Sequence, residues 1–156
     1  MTRNVAIFST HDQAISYRKQ LAAKGSAACF GVTATTFVAW LADAWELYGD
    51  GRVLISSLDR SFAVRFLLEQ SSEVGPLEPT DGGTALVCRF FSEAIGLDAL
   101  EAAIGNPPAS LSAQEREFLG LVEPYRAVLL QRGFVEEGDA LNVLLGVNWD
   151  VSFTLA

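Results

Sequence analysis

The sequence predicts an α/β protein, a small parallel sheet followed by a predominantly helical body. Three observations carry this. "NVAIFST" is a short apolar run bounded by polar residues, "HDQAISYRKQLAAKG" follows with helical periodicity, and "AACFGVTA" is a second apolar run. Strand, helix and strand within about thirty residues make a βαβ unit, whose strands pair in parallel through a right-handed crossover. After that unit the spacing of apolar residues becomes helical and remains so for most of the chain.

Each element has its own signal. The first strand, Asn4–Thr10, is apolar enough to be buried. In the helix after it, Ala14, Tyr17, Leu21 and Ala22 share one face, and Lys24-Gly25 closes it. The second strand is expected to place Phe30–Thr33 beside the first. "TTFVAWLADAWELYG" opens on a threonine cap and sets Phe37, Trp40, Leu41, Ala44 and Trp45 on one face. "GDGR" is a turn, and "SSLDRSFAVRFLLEQ" is a helix with a serine cap and an apolar face of Leu58, Phe62, Phe66 and Leu67. "SSEVGPLEPTDGG" reads as a mobile loop. "TALVCRFFSEAIG" and "LDALEAAIG" read as two nearly continuous helices. Ser112 and Glu115 form a capping box that opens one long helix with Pro124 inside it. "VEEGDALNVLLG" is a short amphipathic helix, and "WDVSFTLA" reads as a final strand. The organisation expected is one domain over 1–156, subdivided at most into a βαβ unit over 1–35 and a helical body over 36–146.

Composition limits the function. The chain of 156 residues is half hydrophobic and carries a net charge of −8, which argues against a generally basic, DNA-coating surface without excluding a local patch. Cys29 and Cys88 lack CxxC partners and read as buried thiols, and His11 is the sole histidine. Zinc sites and Cys-His nucleophile pairs are thereby excluded or nearly so. Neither a signal peptide nor a membrane-length apolar run is visible. The location expected is cytoplasmic, with no membrane partner.

No phosphate-binding loop, GxGxxG or Walker B strand is present, so no ATPase activity, cofactor or catalytic residue is expected of this chain. Ser9 and Thr10 end the first strand, where hydroxyls cap the following helix or help its first-turn N–H groups hold a phosphate. Capping is the commoner use. Arg18 and Lys19 follow two turns on. His11 and Asp12 read as exposed first-turn residues rather than a catalytic pair. Glu136, Glu137 and Asp139 lack the alternation of a calcium loop and read as acids favouring a helix dipole. Phe37, Trp40 and Trp45 read as core rather than a base-stacking platform. No metal site is expected.

The residues themselves carry a resemblance. "STHDQAISYRKQL" resembles the motif Ia segment of superfamily 1 helicases of the UvrD/RecB kind, with Thr10, Ala14, Arg18 and Leu21 in register. "VTATTFVAWLADAW" is similar to motif Ib through Thr36-Phe37, although Val38 stands where the family usually has an aromatic or His. "SLDRSFAVRFLLEQ" resembles the next helix of that family. "YRAVLLQRGFVEEGDALNVL" resembles a later tyrosine-led segment, through Tyr125, Arg132, Gly133, Asp139 and Leu141. Within the family, the AddB/RexB-type helicase–nuclease subunits, whose helicase motifs are often degenerate, resemble it most.

The resemblance implies a partial RecA-like (P-loop-NTPase-like) core. It also implies an incomplete, non-catalytic helicase-like domain from a double-strand-break repair helicase–nuclease, either its N-terminal part or a degenerate stand-alone relative. Such a domain would contact the backbone of single-stranded DNA through Ser9, Thr10, Arg18 and Thr36, or mediate assembly with a partner helicase–nuclease subunit. The alternative is a protein–protein interaction module with no DNA role.

Overall fold

The computed structural model describes residues 3–25, 31–71, 79–94, 96–105, 111–147 and 151–155. The chain forms two compact units, one built from 1–49 and 144–156, the other from 50–143. The second helix, expected at the start of the helical body, groups with the strands.

Unit 1 contains β1 (Arg3–Phe8), α1 (His11–Ala23), β2 (Val32–Thr36), α2 (Phe37–Tyr48) and β5 (Val151–Leu155). The three strands form one parallel sheet in the order β2-β1-β5. Asn4 pairs with Val32 and Phe8 with Thr36 on one side of β1, while Arg3 pairs with Val151 and Ile7 with Leu155 on the other. Val5 and Ala6 point to opposite faces and are both buried, as a central parallel strand requires. Small side chains, Ala6, Ala14, Ala34 and Ala44, are buried and allow close packing of helix on sheet, with Leu41 and Trp45 filling the remaining core.

The βαβ expectation holds, with one shift. β2 begins at Val32 and runs to Thr36, so two threonines assigned to the next helix lie in the sheet; Phe30 lies outside the described residues. Thr and Val favour extended backbone through their branched Cβ, which carries the strand up to the cap.

Unit 2 contains β3 (Val53–Leu54), α3 (Ser57–Ser71), α4 (Asp81–Glu93), α5 (Leu97–Gly105), α6 (Ala113–Gly120), α7 (Val122–Arg132) and β4 (Phe134–Val135). α8 (Glu137–Leu145) begins in unit 2 and carries the chain back to unit 1 at Leu144. β3 and β4 are a parallel two-stranded pair that periodicity does not reveal. Its core collects Val64, Leu67, Leu68, Val87, Phe91, Val122, Tyr125 and Leu129, with the Phe91 and Tyr125 rings stacked at 3.9 Å.

Three expectations about unit 2 need correction. The long helix expected through Pro124 is broken at Leu121, whose N–H turns back to the Phe118 carbonyl at 3.1 Å. A proline ring clashes with the carbonyl four residues back, here that of Gly120. The break moves Pro124 into the first turn of α7, where no N–H is needed. α4 starts earlier than expected, at Asp81, because Thr80 caps it by accepting from the Gly83 N–H at 3.1 Å. Most of the loop expected ahead of it, 72–78, lies outside the described residues.

The third correction concerns α3. Leu58, Phe62 and Phe66 are 64%, 65% and 50% exposed, and the buried face is Arg60, Val64, Leu67 and Leu68. An arginine on the inward face lowers its apparent hydrophobicity, so the outward stripe of larger side chains gives the stronger apolar signal.

Candidate functional site

The C-terminal edge of the parallel sheet brings together two helix starts. β1 ends at Phe8 and passes through Ser9 and Thr10 into α1; β2 passes directly from Thr36 into α2. Since Phe8 pairs with Thr36, both starts lie on adjacent strands. The chain leaves β1 for β2 on one side and returns to β5 on the other, a reversal of strand order that opens a crevice at strand ends in open α/β sheets.

Both threonines cap. Thr10, in extended conformation, accepts from the Gln13 N–H at 3.3 Å, and the Gln13 side chain accepts from the Thr10 N–H at 3.2 Å. Thr36 accepts from the Ala39 N–H at 3.4 Å. Capping occupies a lone pair on each hydroxyl and leaves its proton to donate, so a cap remains able to contact an anion. Ser9 is exposed beside Thr10.

Arg18 is exposed on α1 and is not brought to this edge. Eight residues of helix at 1.5 Å each separate it from Thr10 by about 12 Å along the axis. A surface groove of about 420 Å³ runs along the outer side of α1 and is lined by Phe8, Asp12, Gln13, Ser16, Tyr17 and Gln20. Asp12 is the only charged residue among these, which opposes phosphate there. His11 is exposed in the first turn, as expected.

The aromatics depart from the sequence reading. Trp45 is core, but Phe37 is 40% exposed and packs on half-buried Trp40 at 5.9 Å, directly beside Thr36. On the neighbouring strand Phe8 meets Tyr17 at 5.1 Å. Aromatic surface thus flanks both caps. The amphipathic period that signalled burial is a property of the whole helix, whereas the first residue of α2 overhangs the end of the sheet.

Charge is unevenly divided. Residues 1–49 and 144–156 hold four acids and four bases, while 50–143 hold fifteen acids and seven bases. The entire excess of eight acids therefore belongs to unit 2. Unit 1 is electroneutral, with Arg18, Lys19 and Lys24 all in or next to α1.

Unit 2 contains a polar cluster that the sequence reading missed. Glu136 is only 3% exposed and receives Arg60 Nε at 2.8 Å and Nη2 at 2.6 Å. The Tyr125 hydroxyl donates to the same carboxylate, at Oε1. Burial, reinforced by that carboxylate, pushes the Tyr125 phenol well above its ordinary value, and the hydrogen bonds to Glu136 hold the Arg60 guanidinium firmly charged. The cluster ties α3 and α7 to the β4–α8 junction. Asp139 accepts from the Leu97 N–H at 2.7 Å and so caps α5. Two of the three acids expected only to favour a helix dipole thus have specific partners. The available signal was Arg60 itself, spaced four and eight residues before Val64 and Leu68. Cys88 is half-buried, and desolvation raises its thiol pKa; Cys29 lies outside the described residues.

Among the described residues no group of three or more His, Cys, Asp or Glu is placed to hold a metal, and no helix is long and apolar enough to cross a membrane. No protein-family model, curated protein or solved structure matches the chain.

Proposed function

We propose that this chain is a non-catalytic, helicase-like domain with a partial RecA-like core, belonging to a cytoplasmic helicase–nuclease of double-strand-break repair. Unit 1 contacts the backbone of single-stranded DNA. The observation that carries this reading is the placement of Thr10 and Thr36, two capping hydroxyls on adjacent parallel strands at one sheet edge. Phosphate is favoured most at the start of α2, whose first turn has no acid, whereas Asp12 stands in the first turn of α1, and the exposed ring of Phe37 offers a base a stacking surface. Unit 1 is itself neutral, so the net charge of −8 is not carried by the residues around the caps. Arg18 contributes through the general field of α1 rather than by direct contact at the caps.

The test is fluorescence anisotropy of a labelled oligothymidine at low salt, against the wild type and Thr10→Asp and Thr36→Asp. Aspartate is as good an N-cap as threonine, so stability is retained while a negative charge is set where phosphate would lie. Both variants should lose binding with unchanged unfolding transitions. Equal binding by all three proteins would sink the proposal.

A second reading, assembly on a partner subunit without DNA, is favoured by the outward apolar stripe of α3.

A further inference from the structure

α3 is apolar on two faces. Its inner face fills the core of unit 2, and Leu58, Phe62 and Phe66 recur every four residues along its outer face, which places them in one line. Charged side chains, Arg65 and Glu69 among them, share the exposed surface of the helix, so the apolar line is a stripe bordered by charge. Beside the stripe lies a cavity of about 550 Å³, with Phe62, Phe66, Val128 and Phe134 in its apolar lining and Asp59, Gln131 and Arg132 in its polar lining. Concave apolar surface bordered by polar groups, with aromatic side chains exposed, is the composition of a protein-docking groove.

Charge selects the occupant. Unit 2 carries the whole net charge of −8. Four of its seven arginines, Arg52, Arg60, Arg65 and Arg89, are ion-paired to carboxylates of the same unit; beside the stripe Arg65 is shared between Glu69 and Asp81, and with Asp59 and Arg132 at the groove this leaves three acids against two bases. Such a field repels nucleic acid and anionic membrane. It also opposes a second copy of this chain, which would bring eight further negative charges. The geometry points to a docking site on the outer face of α3 for a basic amphipathic helix of a partner protein, its apolar side chains seated against Phe62 and Phe66 and its cations facing the acids of unit 2. This site is separate from the sheet edge of unit 1 and does not depend on DNA binding there.

The probe is a fluorescein-labelled model helix of about 15 residues, leucine on one face and lysine on the other, with a counterpart carrying glutamate for lysine. The lysine peptide should bind saturably and at least roughly tenfold more tightly than the glutamate peptide. The double variant Phe62→Ser/Phe66→Ser, altered only at exposed positions, should keep its circular dichroism and lose roughly tenfold or more of that affinity. No saturable binding, or equal binding of both peptides, would overturn the proposal. So would lysine-peptide binding that the double variant leaves unchanged, because attraction would then be general to the acidic surface. Sedimentation equilibrium showing a wild-type dimer that the double variant dissociates would assign the face to a second copy and overturn the partner helix as well.

Discussion

Replacing Arg60 by Met would strand the Glu136 carboxylate in the core of unit 2 with Tyr125 as its remaining partner in the cluster. Arg60 and Glu136 are 8% and 3% exposed, so water cannot take over the lost bonds. One-sided loss of a buried ion pair costs about 3–5 kcal/mol. Tyr125→Phe removes one hydrogen bond to a charged group, worth about 1.5–3 kcal/mol, and keeps the ring stacked on Phe91. Against a domain stability of about 5–15 kcal/mol, the first change is severe and the second moderate. The double replacement Arg60→Met/Glu136→Leu removes both charges together and should be far milder than the single Arg60→Met. Urea unfolding followed by far-ultraviolet circular dichroism measures all three. Tryptophan emission reports unit 1 separately, because residues 50–143 contain no tryptophan. An Arg60→Met loss below about 1 kcal/mol would mean that the pair is not buried in solution, since that is the value of a screened surface pair. A double variant as unstable as the single would refute the reasoning.

The same cluster predicts alkaline sensitivity. The buried Tyr125 phenol keeps its proton in the folded state beyond the ordinary value of 10.0, whereas the unfolded chain releases it there. Stability should therefore fall as pH rises above about 10, and Tyr125→Phe should flatten that fall; an identical slope in both proteins would contradict it. Gly133 closes α7 with φ of 70°, so Gly133→Ala should cost about 1 kcal/mol by thermal unfolding. Gly96→Ala should cost more, because its φ of 154° is one that L residues rarely adopt and a Cβ there would also displace the Asp139 carboxylate, 2.8 Å away, that caps α5. Calorimetry with magnesium-ATP should give no saturable heat, because the sequence has no phosphate loop or its lysine to hold a triphosphate.

What the sequence reveals follows the range of each interaction. The βαβ unit is local: a strand ending near Thr10, a capped helix and a second strand follow within one short stretch, and the helical crossover between the strands makes them parallel. The final strand is legible as a strand, but its place beside β1 depends on residues more than a hundred positions away. β3 and β4 have two residues each and leave no period to detect. The inversion of α3 is a long-range effect, because Arg60 faces inward only when Glu136, 76 residues later, arrives to receive it. The break at Leu121 is local, because Pro124 fits a helix without loss only in its first turn. At the candidate site, the capping roles of Thr10 and Thr36 are written in the chain, while the exposure of Phe37 and the distance of Arg18 from the caps require the three-dimensional edge.

Contact of single-stranded DNA with unit 1 is proposed at the C-terminal edge of its sheet. Amide chemical-shift mapping of the nitrogen-15-labelled chain during titration with oligothymidine at low salt tests it most directly. Saturable shifts are expected on Ser9–Gln13 and Thr36–Ala39, weakening as salt is raised because binding releases counterions from the DNA. Shifts confined to residues 50–143, or none at saturating oligonucleotide, would contradict it.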